Sequence, residues 1–154
     1  MIARAEGGAE VHLVARRKRS VAFARLLGFE QVWTRDDLPD LPWDVVLDAS
    51  NDPRVPALAV DLVEPGGRVV YIGLSGEASL VDSRELALKD AVAVGVLSAS
   101  GGQAGMVDRY VAGTVDPRPL VAATVSLDEL ADVLGGRRRP ERGAAPKIHV
   151  DPRH

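Results

Sequence analysis

The sequence of 154 residues contains no cysteine, which removes disulfides, a thiol nucleophile and any zinc site built on thiolates. Histidine is almost as scarce, with only His12, His149 and His154. These stand far apart, His12 within an apolar run and His154 at the last position, so a histidine-based metal site is not expected. No apolar run approaches membrane-spanning length, and the amino end has neither a basic n-region nor a long h-region, so a cytoplasmic chain is the expectation. A large charge of either sign is also missing. The formal net charge of -3 gives no general attraction to nucleic acid or to an anionic membrane. Any basic site must therefore be local, and two clusters qualify, Arg16 to Arg19 and Arg137 to Arg139.

What remains is an ordinary globular composition, 46% hydrophobic and 27% charged, without low-complexity tracts or internal repeats. The stretch Glu64-Pro65-Gly66-Gly67-Arg68-Val69-Val70-Tyr71-Ile72-Gly73-Leu74 reads as a turn feeding a buried parallel strand covered on both faces. Gly73 lets a ligand or another backbone come close at that strand's carboxyl end, where open α/β sheets bind ligands. Before it, a short helix at 1–6 stops at Gly7, Val11 to Val14 is a strand, and Ser20 to Leu27 is a helix closed by Gly28. Gln31 to Trp33 and Trp43 to Asp48 follow as strands, and Pro53 opens a helix running to Leu62. After a glycine-containing loop, Ala91 to Val96 is a strand and Ala104 to Ala112 a helix. The last third has a strand at Val121 to Val125, a capping box Ser126-Leu127-Asp128-Glu129 opening a helix to Leu134, a basic loop and a final strand Lys147 to Val150. Strands and helices alternating over short connections predict βαβ units and a parallel sheet.

Candidate functional residues gather at strand ends. In a dinucleotide-binding fold the residue ending the second strand selects the adenosine ribose: a carboxylate bonds the 2′-hydroxyl of NAD, whereas arginine accommodates the 2′-phosphate of NADP. Here that place holds Ala15, followed by Arg16 and Arg17, which points to NADP; a solvated basic turn is the plainer reading. Ser50 offers a hydroxyl at a strand end, or caps a helix before Asp52-Pro53. Asp44 and Asp48 invite an acid/base role, or are a surface acid and a loop acid. The run Ser98 to Gly102 could cradle an anion or be a plain loop.

Together these pieces resemble the cofactor-binding and C-terminal portion of the medium-chain dehydrogenase/reductase superfamily, the zinc-type alcohol, sorbitol and threonine dehydrogenase relatives. The resemblance rests on Gly8-Ala9-Glu10-Val11, on Ala22 to Gly28, on Trp43 to Ser50, on Pro65 to Gly73 and on Lys147 to Arg153, in family order across nearly the whole chain. It implies a Rossmann-like doubly wound parallel sheet, with residues 1–118 a partial dinucleotide-binding domain and 119–154 a segment that packs on the catalytic domain in the family. It further implies that Ala15 and Arg16 select the ribose, that Ser50 and Asn51 border the cofactor groove, and that Gly73 and Leu74 line it near the nicotinamide. Relatives usually carry glycine where this chain has Asn51. By the same resemblance the sheet is incomplete: the first strand, its G-x-G-x-x-G turn and the catalytic domain with its zinc ligands would precede Met1.

The expectation is thus an incomplete NADP-dependent oxidoreductase whose complete relative exchanges hydride between the cofactor and an alcohol or carbonyl substrate. No residue here supplies zinc ligation or proton transfer, so no catalytic residue is nominated, zinc is not expected to bind, and the isolated chain is expected to bind NADP weakly or not at all and not to oxidise alcohols. Two rivals stand beside it. One is a naturally truncated, non-catalytic module that pairs its open strands with a partner or another copy of itself. The other is a class I methyltransferase, whose sheet also places a Pro-Gly-Gly turn before a buried strand.

Overall fold

The computed structural model describes residues 1–8, 10–97, 101–137 and 145–153. In chain order the elements are α1 (Ile2–Ala5), β1 (Leu13–Val14), α2 (Lys18–Leu26), β2 (Val32–Trp33), β3 (Trp43–Asp48), α3 (Val55–Leu62), β4 (Val63–Tyr71), α4 (Ser83–Leu88), β5 (Val92–Gly95), α5 (Gln103–Val111), β6 (Val121–Val125), α6 (Leu130–Leu134) and β7 (Lys147–Val150), with a 3-10 turn at Arg118–Leu120. All strand pairs are parallel: β1 with β2, β4 between β3 and β5, and β6 with β7. Among the described residues the ladders are separate parallel pieces, as an incomplete doubly wound sheet predicts. Two compact units result, Pro39–Ala104 and Met1–Leu38 with Gly105–His154.

In the Pro39–Ala104 unit, alternation along β3 and β4 sends Val46 and Val69 to the side covered by α3, where Ala59, Val63 and Val69 form the buried cluster. The other side is open: Val45 and Leu47 are each 58% exposed, and Val92 and Val94 on β5 are exposed as well. Burial on both faces, expected from the apolar runs, is therefore found on one face only. The Pro65-Gly66-Gly67 turn lies inside β4 as an irregularity, since Trp43 pairs with Val63 whereas Val45 already pairs with Arg68. Gly66 takes φ +80, and a Cβ on Gly67 would stand 2.6 Å from Val63 Cγ2, so both glycines are required there.

The other unit holds the β1–α2–β2 crossover and the β6–β7 ladder, with Phe29, Val32, Val115, Ala122, Val125 and Ala145 buried. Helix α2 begins at Lys18 rather than Ser20, so part of the basic cluster belongs to its first turn. Helix α3 begins at Val55 and its first-turn proline is Pro56; Pro53 lies in the preceding turn. Helix α4 was not expected from the sequence, although Asp82 caps it by accepting from the Arg84 amide. The Glu129 carboxylate accepts the Ser126 amide at 2.9 Å, as a capping box requires, but the helical turn it precedes starts only at Leu130. Most of the Ser98 to Gly102 run and of the Arg137 to Ala145 loop lies outside the described residues, as does Ala9.

Candidate functional site

The carboxyl ends of β3 and β4 meet in a tight junction. The Asp48 carbonyl accepts from both Ile72 N–H and Gly73 N–H at 2.9 Å, and the Asp48 carboxylate accepts the Ser50 amide at 2.8 Å. Ser50 then lies so close over Gly73 that a Cβ there would stand 1.9 Å from the Ser50 carbonyl oxygen. Gly73 is therefore demanded by a neighbouring backbone, one of the two reasons its position in the sequence suggested.

Beside this junction is a cavity of about 220 Å³ lined by Asp48, Ser50, Asp52, Pro56, Gly73, Leu74, Ser75, Glu77 and Ser79. Of the residues nominated from sequence it gathers Ser50, Gly73 and Leu74; Asn51 is adjacent in the chain and exposed but does not line it. Ser50 does not cap α3, whose N-cap is Arg54 without a side-chain bond. Its hydroxyl instead accepts, at a long 3.4 Å, from the Asp52 amide. Asp52 in turn accepts the Arg54 amide at 3.1 Å and pairs with the Arg54 guanidinium. Asp48 is buried, 4% exposed. Its charge and, more strongly, burial push the nearby Tyr71 hydroxyl above its ordinary pKa, while that hydroxyl donates to the Pro56 carbonyl at 3.1 Å.

Asp44 and Asp48 sit at opposite ends of β3, so they form no acid/base pair. Asp44 instead hydrogen-bonds Glu64, and this bond, followed by burial, raises the Glu64 pKa. His12 is likewise committed: its Nδ1 accepts from Trp33 Nε1 at 2.9 Å and its Nε2 meets the Glu10 carboxylate at 2.7 Å. Among the described residues no group of histidine and acidic side chains could hold a metal ion, so the donors present do not fit a zinc centre.

In the other unit, Ala15 directly follows β1, its amide bonded to the Trp33 carbonyl, and Arg16 and Arg17 come next, both exposed. Arg17 is the N-cap of α2, which has no acidic residue in its first turn. The Arg16 and Arg17 guanidinium groups make no ion pair among the described residues. Cations at the positive end of a helix are mutually unfavourable, and a bound anion would relieve both. A larger cavity, about 560 Å³, opens in this unit beside Arg4, Phe29 and Val115, but it contains none of the nominated residues. Its Arg4 already donates to the Gly28 carbonyl and stacks on Phe29, so the smaller cavity is the better candidate.

Two features went unread in the sequence. Asp48 as a junction residue left no local signal beyond ending a strand. The other was legible: an Asp-Xaa-Arg tripeptide recurs at 52–54, 82–84, 116–118 and 151–153, and each time the aspartate accepts both the amide and the guanidinium of the arginine two residues on.

Residues 1–111 match the family model described as zinc-binding dehydrogenase. Among solved structures, a short chain alcohol dehydrogenase from E. coli CFT073 in complex with NADH superposes with TM-score 0.84 at 18% identity, covering 97% of this chain and 47% of that one. A zinc-binding dehydrogenase from Sinorhizobium meliloti 1021 bound to NADP gives 0.81 at 19% identity, covering 98% and 47%. Benzyl alcohol dehydrogenase from Acinetobacter calcoaceticus gives 0.76 at 19%, covering 96% and 44%. The chain thus spans less than half the length of these proteins, and at such identity they speak to the fold.

Proposed function

We propose, from the premise that this chain belongs to the zinc-binding dehydrogenase family of the medium-chain dehydrogenase/reductase superfamily, that it is the nucleotide-holding portion of an NADP-dependent oxidoreductase acting on an alcohol or carbonyl substrate. The observation that carries the choice of cofactor is the segment after β1, where Ala15 stands in place of a carboxylate and Arg16 and Arg17, without an ion pair among the described residues, stand at a helix start with no side-chain cap. Arg16 and Arg17 would hold the 2′-phosphate by charge-assisted hydrogen bonds. Ser50 and Asn51 would border the groove and offer polar atoms to the ribose, while Gly73 and Leu74 would line it near the nicotinamide and exclude water from that ring. The bound nucleotide supplies the hydride-carrying ring. No residue here is assigned proton transfer, and among the described residues no group of donors could hold a metal ion. On this reading residues 1–118 belong to the nucleotide-binding part and 119–154 to the segment facing the catalytic part.

Titration of the purified chain with NADPH and NADH, followed by cofactor fluorescence, tests this reading. Weak binding selective for NADPH is expected, with Arg16→Ala lowering NADPH affinity about tenfold and leaving NADH unchanged. Equal affinity for the two nucleotides, or alcohol-dependent turnover by the chain that Arg16→Ala abolishes, would overturn it. A second reading, a non-catalytic module that associates through its sheet, is favoured by the exposed Val45, Leu47, Val92 and Val94. Sedimentation separates the two: a stable self-associated species indifferent to nucleotide supports the module.

A further inference from the structure

Asp48 has a burial that its chemistry opposes. A carboxylate removed from water costs free energy unless donors compensate it, and at an inward position of β3 a valine or leucine would pack without that cost. Asp48 uses its polar atoms on one target, the rim of the cavity beside it. Its carboxylate takes the Ser50 amide, and its carbonyl takes the Ile72 and Gly73 amides. The bond to Ser50 is also the first of a series in which a side chain accepts the amide two residues ahead, from Asp48 to Ser50, Ser50 to Asp52 and Asp52 to Arg54. That series carries the chain from the end of β3 to the start of α3 without regular secondary structure. At the far end the Tyr71 hydroxyl holds the Pro56 carbonyl, so the connection is pinned from β3 at one end and β4 at the other.

From this arrangement we infer that Asp48 is the positioning residue of the nucleotide crevice, fixing the backbone of Ser50 against Gly73 so that both strand ends present one preformed rim. This rests on the reading of the cavity as part of a nucleotide site. A preformed rim spares the ligand the entropy of ordering a loop, which is where Asp48 contributes to affinity. The role asks for an acceptor oxygen at the end of a short side chain. Asparagine meets that requirement and alanine does not.

Amide exchange by nuclear magnetic resonance and NADPH titration, both on the full chain, test the inference together. Asp48→Ala should lose protection at the Ser50 amide and weaken NADPH binding about tenfold, while Asp48→Asn rescues both to within about threefold. Unchanged Ser50 protection in Asp48→Ala overturns the inference, as does lost protection with unchanged affinity. Should Asp48→Ala not fold, Asp48→Asn decides: its Ser50 amide must keep its protection to within about threefold of the wild type, and lost protection there overturns the inference. Absence of NADPH binding by the wild type overturns the cofactor reading, and the exchange result then still decides whether Asp48 holds the rim.

Discussion

The Pro39–Ala104 unit assembles its core from three adjoining parallel strands and the helix that crosses them, whereas the unit of Met1–Leu38 and Gly105–His154 is built on two ladders of two strands each. In the former, Val60, Val63 and Val69 are within 1% of complete burial and the central strand β4 has a partner on both sides. In the latter, two-stranded ladders are marginal by themselves, and polar ties supplement the buried Phe29, Val32 and Val125. Arg4 donates to the Gly28 carbonyl and covers Phe29, Glu6 pairs with Arg109, and Trp33 donates to His12. Contiguous strands concentrate burial in one place; interrupted ones distribute the same task over side-chain contacts. The sequence places one tryptophan in each unit, Trp33 in β2 and Trp43 in β3, so Trp43→Phe and Trp33→Phe variants give a separate fluorescence reading of each.

The most severe test of the concentrated unit is Gly73→Ala. With the Ser50 carbonyl oxygen 1.9 Å and the Ser50 nitrogen 2.6 Å from the added Cβ, both backbone atoms, the junction must open, at a cost of about 3 kcal/mol or more. Urea unfolding followed by Trp43 should show it, with Gly76→Ala, which meets no atom within 4 Å, as the neutral control. Equal midpoints for the two variants would show that the junction is not rigid. Next in size is Val69→Ala. Removing two buried methylene equivalents at about 0.8 kcal/mol each, plus a residual cavity, amounts to about 2 kcal/mol. Its counterpart is Val32→Ala, 1% exposed in the other unit. If the units melt independently, Val69→Ala moves only the Trp43 transition and Val32→Ala only that of Trp33. Joint movement of both would merge the two units into one cooperative structure.

A smaller effect belongs to Lys89, whose ammonium donates to the carbonyls of Val60, Asp61 and Val63 at 2.8, 2.7 and 2.9 Å. The first two are carbonyls that the end of α3 leaves without helical partners and the third opens β4, and a cation suits that end of the helix dipole. Lys89→Met keeps the stem and removes the donors, for an expected loss of about 1 kcal/mol in the Trp43 transition and none in that of Trp33. No loss would mean that water replaces the ammonium without cost.

The same contrast explains what could be read in advance. Strand β3 was legible to the residue because Trp43 to Asp48 is an apolar, β-branched run between proline-rich and turn-forming segments. Strand β1, expected over Val11 to Val14, forms only at Leu13–Val14, since pairing with a two-residue β2 limits it. Gly73 was legible as a close-approach glycine, but the approaching group is known only once Ser50 is placed in space. Lys89 and Asp48 were illegible for one physical reason. Their partners are backbone atoms, which carry no sequence signature, and those of Lys89 lie more than twenty residues away.

The least effect is expected from a device both units share. Hydrogen bonds from Arg84, Arg118 and Arg153 side chains, then from their amides, hold the Asp82, Asp116 and Asp151 carboxyls below the ordinary aspartate range. A carboxyl whose pKa is depressed by folding contributes stability above its unfolded value, near pH 4, and loses it as the pH falls through the depressed folded value. Glu64 acts in the opposite sense, its raised pKa adding stability in acid that fades as the pH rises through that value. Arg118→Ala read by Trp33, and Arg84→Ala read by Trp43, should each lower stability slightly at neutral pH, because exposed pairs contribute little. The deficit should then vanish once the pH has fallen through the depressed values, where the wild type has lost the same contribution. A deficit that persists undiminished in acid would mean that the arginines act through packing of their stems and not through the carboxylates. Deficits alike in the two units would show that these turns are local, indifferent to whether the surrounding core is concentrated or dispersed.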